Sequence, residues 1–302
     1  MADGGKPGGG VDSGCTTLCF MGAGLLHSQI RKELQRLDLH AKKGLGQHFL
    51  VDEQVLKSLI SAAELTANDT VVEVGPGLGI LTRELAKKSG RVIAIEVDTK
   101  LASVLKETLA LLPNVDIINA DVLESDPGAL LAKETPYKVV ANLPYYIASA
   151  VLRHFLEASI KPRLMVVTVQ KEVAQAIVAQ PGKMRLLSVS VQFYGHPTIV
   201  HYVPARSFYP PPKVSSAILR IDLYDRPALA VKDEAAFFRV VRGGFSAPRK
   251  QLHNSLAQGL EMSTGDAVAL LKEAGINQKR RAETLSLEEW ATIYRLFVEK
   301  QC

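Results

Sequence analysis

The stretch TVVEVGPGLGILTRELA, Thr70–Ala86, decides the fold. A short Val-rich run stops at Gly75, and three glycines in G-x-G-x-G spacing lead into a segment with helical character. A strand that runs through glycines into a helix makes a tight turn and lets a ligand approach main-chain amides closely. The spacing is not the G-x-G-x-x-G of dinucleotide-binding turns. Taken alone, a purely structural glycine turn explains it equally well.

The same alternation continues downstream. RVIAIEVD, VDIINAD, YKVVANLP and RLMVVTVQK read as strands, with KLASVLKETLALL and SAVLRHFLEAS as helices between them. The helix entered from the glycines reads as ILTRELAKKSG, with Gly90 at its expected C-terminal end. Continuous Val/Ile-rich strands alternating with amphipathic helices indicate an α/β fold whose parallel sheet is covered on both faces. TIVHYVP and SSAILRIDL add two closely spaced strands, expected at a mixed-direction edge. Upstream, about Ile30 to Leu39 reads as a short helix and AKKGLGQHFLVD as a basic loop. Asp52 is placed to cap the next helix, whose apolar positions are Val55, Leu56, Leu59 and Ile60. From about residue 227 every segment is helical. The expected organisation is an N-terminal extension, largely disordered, over 1–40, a catalytic α/β domain over 41–226, and a helical domain over 227–302.

The 302 residues carry a net charge of +5, a mild bias towards a polyanionic partner that chance explains about as well. Cys15, Cys19 and Cys302 make no disulfide framework and no metal-ligand pattern, so a reducing compartment and no metal are expected. No apolar run is long enough for a membrane span. The Gly-rich start lacks the layout of a signal peptide, and a cleaved targeting segment is the minor alternative.

Four successive strand ends present Gly75, Glu96, Asp121 and Asn142. In an open α/β sheet, ligands bind beyond the carboxyl ends of the strands, and an acidic residue ending the second strand suits ribose hydroxyls. Either acid alone is explained by a helix cap or a solvated loop; all four residues in register are much harder to dismiss. The fourth end opens into NLPYYI. There, Asn142 and the Leu143 carbonyl can accept hydrogen bonds from an exocyclic amine, Pro144 stiffens the turn, and Tyr145 offers a face to a planar base. An adenine N6 is a poor nucleophile because its lone pair is delocalised. Acceptors aimed at its hydrogens favour the pyramidal form and stabilise the charge that develops on attack. An Asx-turn with two core tyrosines is the competing explanation.

EVGPGLG and NLPYYI, with GLGQHFL before them and FYPPPKVSSAILRI after, resemble the ribosomal RNA adenine N6,N6-dimethyltransferases. The likeness runs from about Lys42 to Phe297 and includes RKQLHNSL and RAETLSLEEW. It implies a Rossmann-like, seven-stranded, mostly parallel sheet with a small C-terminal helical RNA-binding domain, and S-adenosylmethionine as cofactor. It also implies that the backbone near His48 and Leu50 closes over the methionine end, Gly75 lies against the cofactor, Glu96 holds its ribose and Asp121 its adenine amine. Asn142 then sits between cofactor and target, and Tyr145 stacks on the target base. Phe208 is a second candidate for packing on the flipped base, although a rigid connector explains it equally well. This chain departs from the usual pattern in having His48 where many relatives have Asn, and YYIASA in place of a run containing Ser-Thr-Pro. The implied substrate is two adjacent adenosines in a hairpin loop near the 3′ end of small-subunit (16S) rRNA, within an immature small ribosomal subunit. A cytoplasmic monomer with a role in subunit biogenesis is expected. Arg206, Lys213, Arg242, Arg249, Lys250, Arg280 and Arg281 are candidates for phosphate contacts, but solvated helix faces explain most such residues and none is singled out. Two other readings stay open: a large-subunit rRNA methyltransferase conferring macrolide resistance, and an assembly checkpoint whose chemistry is dispensable.

Overall fold

The computed structural model describes Ser28, Ile30, Lys32, Leu34, residues 47–131 and residues 136–300. Of the helix expected over Ile30 to Leu39, only Ile30, Lys32 and Leu34 fall within this description, and they are helical. The rest of that stretch, and the remainder of the expected N-terminal extension apart from Ser28, lie outside the described residues.

The chain begins its main body with strand β1 (Phe49–Leu50) and helix α1 (Glu53–Ala63). Asp52 caps α1 as expected, accepting from the amides of Gln54 and Val55 at 2.9 and 3.4 Å. Strand β2 (Thr70–Val74), helix α2 (Ile80–Ala86), strand β3 (Arg91–Glu96), helix α3 (Thr99–Thr108) and strand β4 (Val115–Asn119) follow. Next come the short helix α4 (Pro127–Leu130), strand β5 (Tyr137–Asn142), helix α5 (Ala148–Glu157) and strand β6 (Leu164–Gln170).

After β6 lie two helices that the sequence reading did not assign, α6 (Lys171–Ile177) and α7 (Leu186–Tyr194). They lead to strand β7 (Gly195–Val203), the two-residue strand β8 (Phe208–Tyr209) and strand β9 (Ser216–Leu223). Four helices finish the chain: α8 (Glu234–Phe245), α9 (Leu252–Gly259), α10 (Thr264–Glu273) and α11 (Leu287–Glu299).

Seven strands form one sheet in the order β4-β3-β2-β5-β6-β9-β7. The first five are parallel, and β9 runs antiparallel to both neighbours. Strand side chains alternate between two apolar layers. Val71, Val92, Val140 and Val166 meet α1 and α2 on one face, while Val72, Ile93, Val139 and Val167 face the other. Burial on both faces is why these strands read as unbroken apolar runs.

The second layer continues without a break into the C-terminal helices. Phe193 of α7 stacks on Phe237 of α8 with centroids 4.9 Å apart, and the Tyr194 hydroxyl donates to Glu234 at 2.7 Å. The amides of Gly182 and Met184 both donate to the Glu283 carbonyl. The helical region is thus packed onto the sheet through a shared aromatic core.

At the far end of the strands from the candidate site, the Lys138 side chain is 2% exposed. Its Nζ donates to the carbonyls of Ala63 and Glu64 at the end of α1, and to Asp69 at 3.0 Å. Arg163 binds the other Asp69 oxygen. Desolvation pushes the Asp69 carboxyl up, but the hydrogen bonds from Thr66 and Lys138 outweigh it and hold the group below its usual range.

Two expectations are corrected. Helix α2 stops at Ala86 with Lys87 as its cap, so Gly90 is not its C-cap. A Cβ at Gly90 would meet the Ala67 carbonyl oxygen at 2.3 Å, so the glycine permits a close backbone approach. The segment read as a basic loop contains β1, which pairs antiparallel with β8, Phe49 with Tyr209 and Leu50 with Phe208.

Candidate active site

The cleft opens at the carboxyl ends of the strands, where β2 lies between β3 and β5 and the connections depart in opposite directions. Its walls run from Gln47–Leu50 past the glycine turn to Glu96, Asp121 and Asn142–Ile147. The glycine turn forms the floor. Gly75, Gly77 and Gly79 have φ of 67°, 60° and 74°, a region where a side chain is strained. Space is also tight at two of these positions. A Cβ at Gly77 would be 3.1 Å from the Phe49 ring, and one at Gly79 would be 2.9 Å from Leu105. Gly75 faces the Pro144 ring across the boundary between β2 and β5.

Two carboxyls flank this floor. Glu96 ends β3, is buried, and accepts from the amides of Gly77 at 3.2 Å and Asp98 at 3.0 Å. Burial raises its pKa against the pull of those two amides. Each oxygen keeps a lone pair for a further donor. Glu73 lies in β2 and is 1% exposed; its Oε2 has no hydrogen-bond partner. Desolvation, opposed by Thr82 and reinforced by the Glu96 charge, pushes its pKa up to about 8. Asp121 is exposed two residues beyond β4, with Oδ1 accepting from the Leu123 amide at 2.9 Å.

The other half of the cleft is built around Asn142, at the end of β5. Its Nδ2 donates to the His48 carbonyl at 2.9 Å. A carbonyl only accepts, so the amide nitrogen must face His48 and Oδ1 is left as an acceptor turned elsewhere. Ile147 N donates to the Pro144 carbonyl at 3.2 Å, closing the turn. Among the described residues no backbone amide donates to the Leu143 carbonyl. Tyr145 is half-buried; its hydroxyl shares a 2.5 Å hydrogen bond with Ser216 Oγ, and desolvation raises its pKa, so the phenol stays neutral. Tyr146 is 57% exposed at the mouth.

The fold therefore brings Gly75, Glu96, Asp121, Asn142 and Tyr145 to one cleft, with His48 and Leu50 on its wall. Phe208 is a correction. It is 1% exposed, packed with Leu50, Leu59 and Val140 in the layer beneath the cleft, and so presents no face to a base. The β1–β8 pairing turns it inward. Arg280 is spoken for as well: its guanidinium binds both oxygens of Glu289 and the Thr284 carbonyl within the helical region. Sequence reasoning missed the roles of Ser216 and Pro210, and gave Glu73 none. The adjacent serines of KVSSA and the proline run FYPPP offered only weak signals.

A family model described as ribosomal RNA adenine dimethylase matches residues 39–299. The chain is 50% identical over 285 residues to a ribosomal RNA small subunit methyltransferase A of Dehalococcoides mccartyi, covering 94% of this chain and 98% of that protein. It is 44% identical over 265 residues to the protein of the same description from Moorella thermoacetica, covering 84% and 91%. Among solved structures, the 23S rRNA methyltransferase ErmE superposes with a TM-score of 0.64 at 30% identity, over 82% of this chain and 98% of that one. A dimethyladenosine transferase from Plasmodium falciparum shares the fold, with a TM-score of 0.71 at 22% identity over 84% and 98%.

Proposed function

The chain belongs to the ribosomal RNA adenine dimethylase family, and from that premise we propose that it dimethylates N6 of two adjacent adenosines in the hairpin loop near the 3′ end of small-subunit rRNA. It is an S-adenosylmethionine-dependent rRNA adenine N6,N6-dimethyltransferase. The substrate form in this reading is an immature small ribosomal subunit, and the protein acts in the cytoplasm as a monomer during subunit biogenesis. Among the described residues no helix is long and apolar enough to cross a membrane. Residues 41–226 would form the catalytic domain and 227–302 the RNA-binding domain.

The residues present suit the cofactor. A floor without Cβ atoms brings backbone within reach of a ligand, Glu96 offers a carboxylate with spare lone pairs, and Glu73 has an unpartnered buried oxygen on the same wall. When bound, S-adenosylmethionine supplies a methyl group activated by a sulfonium charge. In this reading Gly75 lies against the cofactor, Glu96 accepts from its ribose hydroxyls and Asp121 from its adenine amine. The backbone of His48 and Leu50 covers its methionine end.

The observation that carries the proposal is the orientation of Asn142. With Nδ2 committed to His48, Oδ1 can accept one hydrogen of a target amine, and the Leu143 carbonyl can accept the other. Tyr145 holds the base by stacking, worth about 1–3 kcal/mol. Both acceptors interact more strongly as positive charge grows on N6, so they stabilise the transition state more than the ground state. The cationic product amine is acidic and gives its proton to water. A base paired within a helix cannot reach this position, and a looped RNA lowers the cost of extruding it.

The test is methyl transfer from labelled S-adenosylmethionine to unmethylated small subunits and, separately, to naked large-subunit rRNA, with primer-extension mapping. Paired dimethyladenosines near the small-subunit 3′ end are expected. A single modified adenine in large-subunit rRNA would replace this reading with the resistance enzyme. Transfer to neither would leave only a binding role.

A further inference from the structure

Three segments distant in sequence meet at His48. Its carbonyl accepts from Asn142 Nδ2 at 2.9 Å, its Nδ1 lies 2.7 Å from the Pro210 carbonyl, and its ring stacks on Tyr145 with centroids 5.5 Å apart and planes inclined by 28°. The carbonyl of Pro210 only accepts, so Nδ1 carries the hydrogen. Tyr145 is held a second time, through its hydroxyl, by Ser216 Oγ. A ring fixed at its tip and backed on one side has one remaining stacking face.

We propose that the His48 imidazole is a positioning residue for the target base, backing Tyr145 and tying the Phe208–Pro210 segment to the strand end that carries Asn142. The inference rests on the function proposed above. The backbone carbonyl orients the acceptor amide, and the side chain of the same residue orients the stacking ring. One residue thus sets both the in-plane and the face-on contacts of the base. Transfer depends steeply on the placement of the reacting atoms, so slack in the Tyr145 ring lowers turnover even where cofactor binding is intact. Phe49, the next residue, lies against the glycine turn and pairs with Tyr209. The segment bearing His48 is therefore anchored independently of its ring, and replacing the ring leaves the backbone carbonyl in place.

The experiment uses His48→Ala, His48→Phe, Tyr145→Ala and the double variant with both alanines, in the full chain. For His48→Ala, kcat falls by about 10- to 100-fold, and the cofactor Kd from calorimetry stays within roughly threefold of the unsubstituted protein. His48→Phe, which keeps a ring behind Tyr145, recovers kcat to within about threefold. In the Tyr145→Ala background, His48→Ala changes kcat by less than about twofold, because the partner it acts through is gone. Urea unfolding of the same four-member cycle gives a coupling of about 2- to 12-fold in the folding constant, the size of an aromatic pair.

Additive losses in kcat overturn the proposal, as does a loss confined to cofactor affinity. If the unsubstituted protein methylates no RNA, the proposed function fails. The unfolding cycle still judges the contact, and additive folding constants overturn the inference on their own.

Discussion

Replacing the buried acid of β2, Glu73→Gln, is expected to remove a pH-dependent cost from the folded protein. Glu73 has its pKa raised from an ordinary 4.5 to about 8, chiefly by burial, with the Glu96 charge adding to it. The folded state therefore keeps a proton that the unfolded chain has already released above 4.5. Stability is fully present below the unfolded value and is lost as pH rises through the folded one. The slope is about 1.4 kcal/mol per pH unit between the two values, or roughly 5 kcal/mol over the whole interval, with no further loss above it. The group is buried, so solvent screening takes little from this figure.

Glutamine keeps the shape and is neutral at every pH. The assay is urea unfolding of the unsubstituted chain and the variant, without added cofactor, at about pH 5.5, 7 and 8.5. Groups common to both proteins cancel in the difference. The variant should gain on the unsubstituted protein by roughly 3–4 kcal/mol between the first and last of these pH values. A difference that stays flat would refute the reasoning, because it would mean that Glu73 is ionised in the fold and stabilised there.

Four further outcomes are expected. Glu96→Ala weakens cofactor binding more than RNA binding, by about 10- to 100-fold for a charge-assisted contact; calorimetry showing equal losses would contradict the ribose assignment. Tyr145→Ala lowers turnover by about 5- to 150-fold, the worth of one stacked base, while leaving cofactor affinity nearly unchanged, and unaltered turnover would remove its stacking role. Asn142→Ala retains subunit binding but does not methylate, as a filter-binding assay run beside the transfer assay would show; normal subunit assembly with this variant would make the chemistry secondary. Lys138→Met leaves Asp69 and two helix-end carbonyls without their buried partner and destabilises the fold by about 3–5 kcal/mol, measured in urea. Because Lys138 lies at the opposite end of the strands, kcat of the folded fraction should not change.

The sequence by itself determined the parts that follow from local pattern. Short unbroken apolar runs and period-3.6 patterns name strands and helices, glycine spacing marks the turn, and the residue types at four strand ends point to a nucleoside-bearing cofactor and an amine acceptor. These signals are written in neighbouring residues, so they survive without knowledge of the rest of the chain. Only the tertiary structure decided what depends on which strands become neighbours and which way their side chains face. Placing β2 beside β5 sets Gly75 against Pro144. Pairing β1 with β8 buries Phe208, which the sequence offered as a stacking surface. The His48 contacts join residues 94 and 162 positions apart, and no local periodicity encodes such a meeting. Nor could the run EVGPGLG reveal that Glu73 is desolvated, since an acid in a strand is buried only when other elements close over the face of the sheet to which it points.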